Sequence, residues 1–393
     1  MKILVFNAGS SSLKYGVFDV SEQTTHIFKG SFERFRDGAC LARTNGPAGS
    51  SQEDAAHGDI DAAIAAVPGI LAQHGIEGLD AVGHRIAHGG AEFEAPARLD
   101  PATLARIETL TPLAPLHNPA NLTAIRLARE IWPDLPQFGV FDTAFHMTNP
   151  PRATTYAVPK AWRDAGLRRY GFHGTSHKYV ARRAAQAVDR PLSELRVISL
   201  HLGNGASICA VDRGASIDSS MGMTPLEGLV MGTRSGDLDP GAFGYVQRRF
   251  DLDIAQIEAA LNSESGLKGL TGASDMRDVA GRAAEGDADA RLALDIYAYR
   301  ARKYIGAYAA AMGGVDVLVF TGGVGENDAS MRARICDGLD FIGIRLDPHS
   351  NAQPQLEKRA APAIHMDGAP VQVIVTETAE QLMIAQETAA AMI

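Results

Sequence analysis

Two stretches of the chain follow the same plan, and this recurrence narrows the fold more than any other feature. Near the start, residues 2–6 form an apolar run, residues 7–12 (NAGSSS) are small and polar, and residues 13–20 resume an apolar pattern. In mid-chain, residues 196–202 read as a strand, residues 203–207 (GNGAS) as a glycine turn, and residues 208–211 as the returning strand. Short β-branched runs bounded by Gly and Ser are strand–turn–strand signals. Each unit closes on an aspartate, Asp19 and Asp212, 193 residues apart in a chain of 393. That offset suggests a duplicated domain whose two polar turns face one another across a cleft. Chance recurrence of a common hairpin is the alternative.

Between the units, residues 39–58 are rich in Gly, Ser, Pro and acids and read as an exposed loop or flap. Residues 60–74 and 101–108 look helical, and residues 175–187 form a helix with Thr175 as its cap. A long amphipathic helix is expected over residues 287–312, with Leu292, Ile296, Tyr299 and Tyr304 among its apolar positions. Residues 315–320 (VDVLVF) read as a buried strand leading into the turn TGGVGEN. Residues 371–375 form a last strand before a closing helix from about Ala379. Strands alternating with helices predict an α/β fold.

Composition excludes several functions. The net charge of −9 argues against nonspecific binding to nucleic acid or anionic lipid, which need a basic face. Cys40, Cys209 and Cys336 are too few and too scattered for a disulfide framework or a zinc site, and they suit a reducing compartment. The first apolar run is too short for a secretory signal. Residues 304–320 are interrupted by glycines and Asp316, which does not suit a membrane span. The expectation is a cytoplasmic enzyme with no membrane or nucleic-acid partner.

Three glycine-rich turns follow strands: NAGSSS, HLGNGAS and TGGVGEN. Backbone N–H groups at such turns can cradle phosphate, because glycine lets the chain approach an anion closely. None is a P-loop, and each alone is an ordinary turn; three together point to a nucleoside triphosphate. Lys14 is either a phosphate contact or a solvated strand residue. A denser set of polar groups lies in apolar surroundings: Arg85 in GHRIAHGG, His117 in PLHNPAN, Asp142 in GVFDTAFH, His173 in RRYGFHGTSH and Arg234 in MGTRSGDLDP. Each taken alone could be a satisfied core histidine or a paired arginine. Together they suit phosphoryl transfer, since a guanidinium grips carboxylate or phosphoryl oxygens bidentately. One such arginine can be worth about 10³–10⁵ in rate. Asn7 and a late carboxylate would suit Mg²⁺, which needs few protein ligands.

In order and along nearly the whole chain, NAGSSSLKY, GHRIAHGG, LAPLHNPAN, FDTAFH, YGFHGTSHKYV, HLGNGAS, MGMTPLEGLVMGTRSGDLDP and FTGGVGEN resemble the acetate kinase family. The resemblance implies two duplicated ribonuclease H-like domains around a nucleotide cleft, as in the actin/Hsp70/sugar kinase superfamily. Residues 1–147, completed by a helix at about 382–393, would be the N-terminal domain; residues 148–381 would be the C-terminal, nucleotide-binding one. It implies magnesium-dependent transfer from ATP to acetate, giving acetyl phosphate and ADP, with Mn²⁺ as a possible substitute metal and a homodimer as the assembly.

By motif, the resemblance makes Asn7 a metal ligand and Lys14, Ser10 and Ser12 nucleotide contacts. Arg85 would hold the substrate carboxylate, with His117 nearby. Asp142, His173 and Arg234 would be catalytic. His201, Leu202, Gly203, Asn204 and Gly205 would line the phosphate site. Asp275, Met276 and Arg277 would meet the adenosine, with Gly323, Val324, Gly325, Glu326 and Asn327; without the resemblance, Asp275 reads as a helix cap.

The chain departs from the family pattern twice. Where the family closes on Thr-Asn-Glu-Glu, this chain has Thr378-Ala379-Glu380-Gln381, which puts Glu380 in the metal role with Glu377 as a competitor. After the substrate arginine the family commonly has Val-Val, and this chain has Ile86-Ala87. Ala87, with Leu116, Phe172 and Pro225, matches the family's apolar acyl pocket, so propionate is expected to be accepted better than is usual. A propionate or butyrate kinase is the near alternative. A non-kinase ATPase of the actin/Hsp70 kind is the distant one.

Overall fold

The computed structural model describes residues 1–9, 12–22, 24–36, 38–115, 117–356 and 361–393. Among these the chain divides into Met1–Phe145 with Ala379–Ile393, and His146–Thr378. The first unit carries β1 (Lys2–Ala8), β2 (Ser12–Asp19), β3 (Thr25–Arg36), β4 (Ala39–Gly46), β5 (Gly49–Ala55), β6 (Ala81–Ile86), β7 (Ala97–Arg98) and β8 (Gln137–Phe141), in the sheet order β5-β4-β3-β2-β1-β6-β8-β7. The second carries β9 (Arg196–Leu202), β10 (Ala206–Asp212), β11 (Ala215–Ser219), β12 (Val317–Thr321) and β13 (Gln372–Val375), in the order β11-β10-β9-β12-β13.

The two recurring units form the β1–β2 and β9–β10 hairpins, and each hairpin sits at the same place in its sheet. β1 pairs antiparallel with β2 and parallel with β6, which is parallel to β8. β9 likewise pairs antiparallel with β10 and parallel with β12, which is parallel to β13. The orders β3-β2-β1-β6-β8 and β11-β10-β9-β12-β13 therefore match strand for strand.

Both central strands are buried on two faces; β1 accordingly reads as an unbroken apolar run over residues 3–6, whereas β9 carries Ser199 and His201 on one of its faces. Leu4 and Phe6 of β1 pack with Ile64, Val67 and Ala124, on the helices Ile60–Gln73 and Asn118–Ile131. Ile3 and Val5 face the other way, against Ile384 and Ala385 of the closing helix Glu380–Ala391. In the second unit, Ile198, Leu200, Leu318 and Phe320 pack with the long helix Ala288–Met312.

Away from the site, the structure corrects two expectations. Residues 39–58 are not a loop: β4 and β5 form an edge hairpin there, with Cys40 opposite Ala55 and Gly46 opposite Gly49. β5 (GSSQEDA) is exposed along most of its length, so backbone pairing rather than apolar alternation forms it, and its polar side chains discourage further strand addition. In the long helix, Leu292 and Tyr299 are exposed rather than core-facing. The buried stripe includes Ala290, Ala293, Tyr297, Ala301, Ile305 and Tyr308, a mixture of small and large residues. No helix among the described residues is long and apolar enough to cross a membrane.

His84, on β6, is buried against Phe6, and its Nε2 lies 2.9 Å from the Gln137 Oε1. Burial lowers its pKa from 6.5 to about 4. Above pH 6.5 both folded and unfolded states are neutral at this site. As pH falls below that, the unfolded chain takes up a proton that the folded chain refuses, and stability drops by about 1.4 kcal/mol per pH unit. The urea midpoint is therefore expected to fall between pH 6.5 and 4, less steeply in His84→Gln. Equal slopes in the two proteins would contradict this.

Candidate active site

In the first unit, Asn7, Arg85 and Asp142 stand at the carboxyl ends of the neighbouring parallel strands β1, β6 and β8, where α/β sheets collect their ligands. The Asp142 N–H donates to the Ile86 carbonyl at 2.9 Å, which fixes the aspartate beside Arg85. Arg85 Nη2 donates to Asp142 Oδ2 at 2.5 Å, Nε donates to the same oxygen at 3.0 Å, and Nη1 donates to Asn7 Oδ1 at 3.2 Å. Asp142 is 2% exposed. Burial opposes the charge on Arg85, but Asp142 and then Glu380 more than offset it and hold the guanidinium above its ordinary range. Among the described residues no three or more His, Cys, Asp or Glu side chains gather as a metal site. The oxygens of Asn7, Asp142 and Glu380 are hard donors of the kind Mg²⁺ takes.

Sequence reasoning singled out His117 in LHNPAN but missed the two asparagines after it. Asn121 accepts from the Ala87 N–H at 3.0 Å and donates to the Ala8 carbonyl at 2.8 Å, tying the chain beside Arg85 to the end of β1. Asn118 accepts from the His88 N–H and donates to its carbonyl. Their spacing of three on one helix face was the available signal. His117 itself is half-buried at the head of that helix.

In the second unit, strand alternation puts Ser199 and His201 on one face of β9, with Ser207 of β10 opposite His201. The helix Gly174–Ala187 brings Ser176 and His177 to that face. His173, not Thr175, stands at its head, in the left-handed region at φ 54°. His173 Nδ1 lies 2.8 Å from Ser207 Oγ, and its ring stacks on His201 with centroids 4.3 Å apart. His201 Nδ1 lies 2.8 Å from Ser176 Oγ.

Gly205 lies in the turn between β9 and β10. A methyl group there would stand 3.6 Å from both His173 Nε2 and Arg234 Nη1, so the missing side chain leaves a space that both nitrogens border. Arg234 Nη1 also donates to the Pro225 carbonyl at 3.3 Å. The loop carrying Arg234 is anchored by Asp237, which accepts from the Gly228 N–H at 2.9 Å and pairs with Arg300 at 2.8 Å. Phe172 is buried, and its carbonyl lies 2.9 Å from His146 Nε2.

Beside this space the second unit holds a cavity of about 650 Å³, within the range of small-molecule and cofactor sites. Gly203, Asn204, Asp275, Met276, Arg277, Gly323, Val324 and Asn327, all singled out by the sequence, line it, and Gly232, Ser274 and Tyr297 join them unforeseen. Asp275 also caps the helix Met276–Ala284, and the Arg277 side chain and backbone hold its carboxyl down at about 2.

The remaining expected residues do other work. Leu202 and Gly325 are packed inside. Glu326 Oε1 accepts from the backbone N–H groups of Gly322 at 2.8 Å and Thr378 at 3.2 Å, locking the TGGVGEN segment, which is a short helix rather than a turn. Buried Arg332, not foreseen, donates to the carbonyls of Gly325 and Glu326 at the end of that helix. Lys14 is exposed on β2 opposite Asn7, and Ser12 accepts from the Gly9 N–H through its carbonyl. Ser10 and Leu116 lie outside the described residues.

Two like-ordered sheets, one of them beside a glycine-lined cavity, together with the structural neighbours, define a kinase of the actin-like ATPase fold. The chain belongs to the Acetokinase family, whose model matches residues 2–386. It is 51% identical over 393 residues to an acetate kinase of Leifsonia xyli subsp. xyli, covering 98% of this chain and 97% of the relative. Among solved structures, the acetate kinase of Porphyromonas gingivalis aligns with a TM-score of 0.91 at 40% identity, covering 100% of both chains. A propionate kinase of Francisella tularensis aligns with a TM-score of 0.91 at 38% identity, covering 98% of each.

Proposed function

We propose that this chain transfers the γ-phosphoryl group of ATP reversibly to acetate, giving acetyl phosphate and ADP. The observation that carries the reading is the space at Gly205, bordered by His173 Nε2 and Arg234 Nη1 and close to the glycine-lined cavity. The acceptor carboxylate is already ionised at pH 7, so no general base is needed. The obstacle is bringing one anion against another. Arg85 holds the acetate, its fork aimed by Asp142, while Arg234 and His173 stabilise charge on the transferring phosphoryl oxygens. Asp142 acts by orienting Arg85 rather than by taking a proton.

Asn7 and Glu380 would hold Mg²⁺, or Mn²⁺ in its place, and the ion when bound neutralises phosphate charge. The electrostatic coupling of Glu380 to Arg85 supports it over Glu377, which acts instead on Tyr179. Lys14, Ser10 and Ser12 would approach the phosphates, His201 to Gly205 would line them, and His117 would border the acetate. Buried thiols at Cys40, Cys209 and Cys336 suit the cytoplasm. The helix Gly241–Phe250 buries none of its residues, and Tyr245, Phe250 and Ile254 are exposed nearby, which suits a homodimer that covers them.

Ala87, Phe172 and Pro225, with Leu116, would line the acyl side of the acetate site. Valine at position 87 would add two methyl groups. One methylene in an apolar pocket is worth about 1–3 kcal/mol. Trapping the acyl phosphate as its hydroxamate over a panel of short acids tests the function. Acetate and propionate are expected to react, and no product with any acid would reject the reading. In Ala87→Val the propionate-to-acetate ratio of kcat/KM is expected to fall about tenfold. An unchanged ratio rejects the pocket assignment.

A further inference from the structure

We propose that His177 is a positioning residue for this reaction: acting through Ser207, it keeps the proton of His173 on Nε2, the nitrogen that borders the space at Gly205. The proposal rests on the reading of His173 as a phosphoryl contact. His177 stands one helical turn beyond His173, is completely buried, and has no part in the chemistry described above. Burial, followed by the neighbouring His146 and His201, holds its pKa well below the ordinary range, so the ring is neutral and carries one N–H.

Three hydrogen bonds link four side chains in a row. Ser199 Oγ lies 2.8 Å from His177 Nδ1, His177 Nε2 lies 2.8 Å from Ser207 Oγ, and Ser207 Oγ lies 2.8 Å from His173 Nδ1. A serine hydroxyl has a single hydrogen to donate. Ser199 is fully buried, and among the described residues its side chain makes only the bond to His177. Its hydrogen therefore goes to His177 Nδ1, since a buried donor left without an acceptor is costly.

The other protons follow from that one. His177 Nδ1 accepts, so its proton sits on Nε2 and is donated to Ser207. Ser207 then turns its own hydrogen to His173 Nδ1, which leaves the His173 proton on Nε2. That N–H is the form a phosphoryl oxygen can accept from, and Arg234 Nη1 borders the same space. If His173 carried its proton on Nδ1, the whole row would reverse and the Ser199 hydrogen would lose its acceptor. His146 does not break the row, since its own nitrogens meet Ser216 Oγ and the Phe172 carbonyl. His201 Nδ1 meets Ser176.

The test is long-range ¹H–¹⁵N NMR of the full chain labelled in histidine, near neutral pH, with His173 assigned by its loss in His173→Gln. The native protein is expected to show His173 protonated at Nε2. In Ser207→Ala and His177→Phe the tautomer is expected to become mixed or shift to Nδ1. In both variants kcat should fall about 10- to 100-fold, the range seen when the hydrogen-bond partner orienting a metal-binding histidine is removed, with KM for ATP and acetate within about threefold. His177→Gln, whose amide can donate to Ser207 from the Nε2 position, is expected to restore the tautomer and most of the turnover. A His173 tautomer unchanged in Ser207→Ala overturns the proposal, and that variant suffices if His177→Phe does not fold. Native turnover in His173→Gln would instead overturn the catalytic role of His173, leaving the tautomer measurement to stand on its own.

Discussion

Replacing Arg234 by alanine is expected to lower kcat about 10³-fold or more while the Kd for ATP stays within about threefold, because an arginine acting on a transferring phosphoryl is worth about 10³–10⁵ in rate. The split follows from where the contacts lie. Nucleotide affinity would come from the cavity lined by Asn204, Asp275, Met276, Gly323 and Val324, and Arg234 is not among its walls. Arg234 Nη1 instead borders the space at Gly205, where charge would spread over the phosphoryl oxygens only as transfer proceeds. Arg234→Lys should recover little, since an ammonium cannot reproduce the planar fork. Fluorescence titration with ATP and steady-state kinetics on one preparation separate the two quantities. A loss of ATP affinity as large as the loss of turnover would reject the assignment.

Asp142→Ala is expected to damage both stability and catalysis. The Asp142 carboxylate is 2% exposed and makes three hydrogen bonds to Arg85, the shortest at 2.5 Å. Removing one partner of a buried ion pair costs about 3–5 kcal/mol. The Arg85 side chain is 24% exposed, so water recovers part of this and the loss should fall near or below the lower end. The guanidinium would then turn toward Asn7 and Glu380, and kcat/KM for acetate should fall about 100-fold, the scale of removing one fixed donor at a site of developing charge. Urea titration and kinetics at varied acetate measure the two effects. A variant as stable as the native protein, with unchanged kcat/KM, would show that Asp142 does not aim Arg85.

The sequence carried the parts of this architecture that depend on local pattern. β1 is apolar on both faces over residues 3–6 and β9 is apolar along one face, so their strand character and the spacing of the two hairpins could be read directly. Asp275 was legible as a cap because an acid before a helical pattern is a local signal. What escaped depends on distant partners. β5 has almost no apolar residue and exists through its pairing with β4. Leu292 and Tyr299 fit an amphipathic pattern, yet the face that packs is the alanine–tyrosine stripe, and only the neighbouring sheet decides which face turns inward.

At the site, charged residues in apolar strings stood out, whereas the neutral side chains that hold them did not. Asn118 and Asn121 work through backbone bonds to a segment some thirty residues earlier in the chain. Arg332 looks like a surface cation in sequence, and its burial against the end of a short helix appears only in three dimensions. The single-hydrogen logic of Ser199 and Ser207 likewise depends on β9, β10 and one helix meeting at a face.

The central claim is that fixed positive groups let a carboxylate attack the phosphoryl group of ATP directly. ATP made chiral at the γ-phosphorus with oxygen isotopes, turned over once with acetate, tests it at the reacting atom. The account predicts inversion of configuration in the acetyl phosphate formed. Net retention would mean two successive displacements through a phosphorylated side chain and would contradict it.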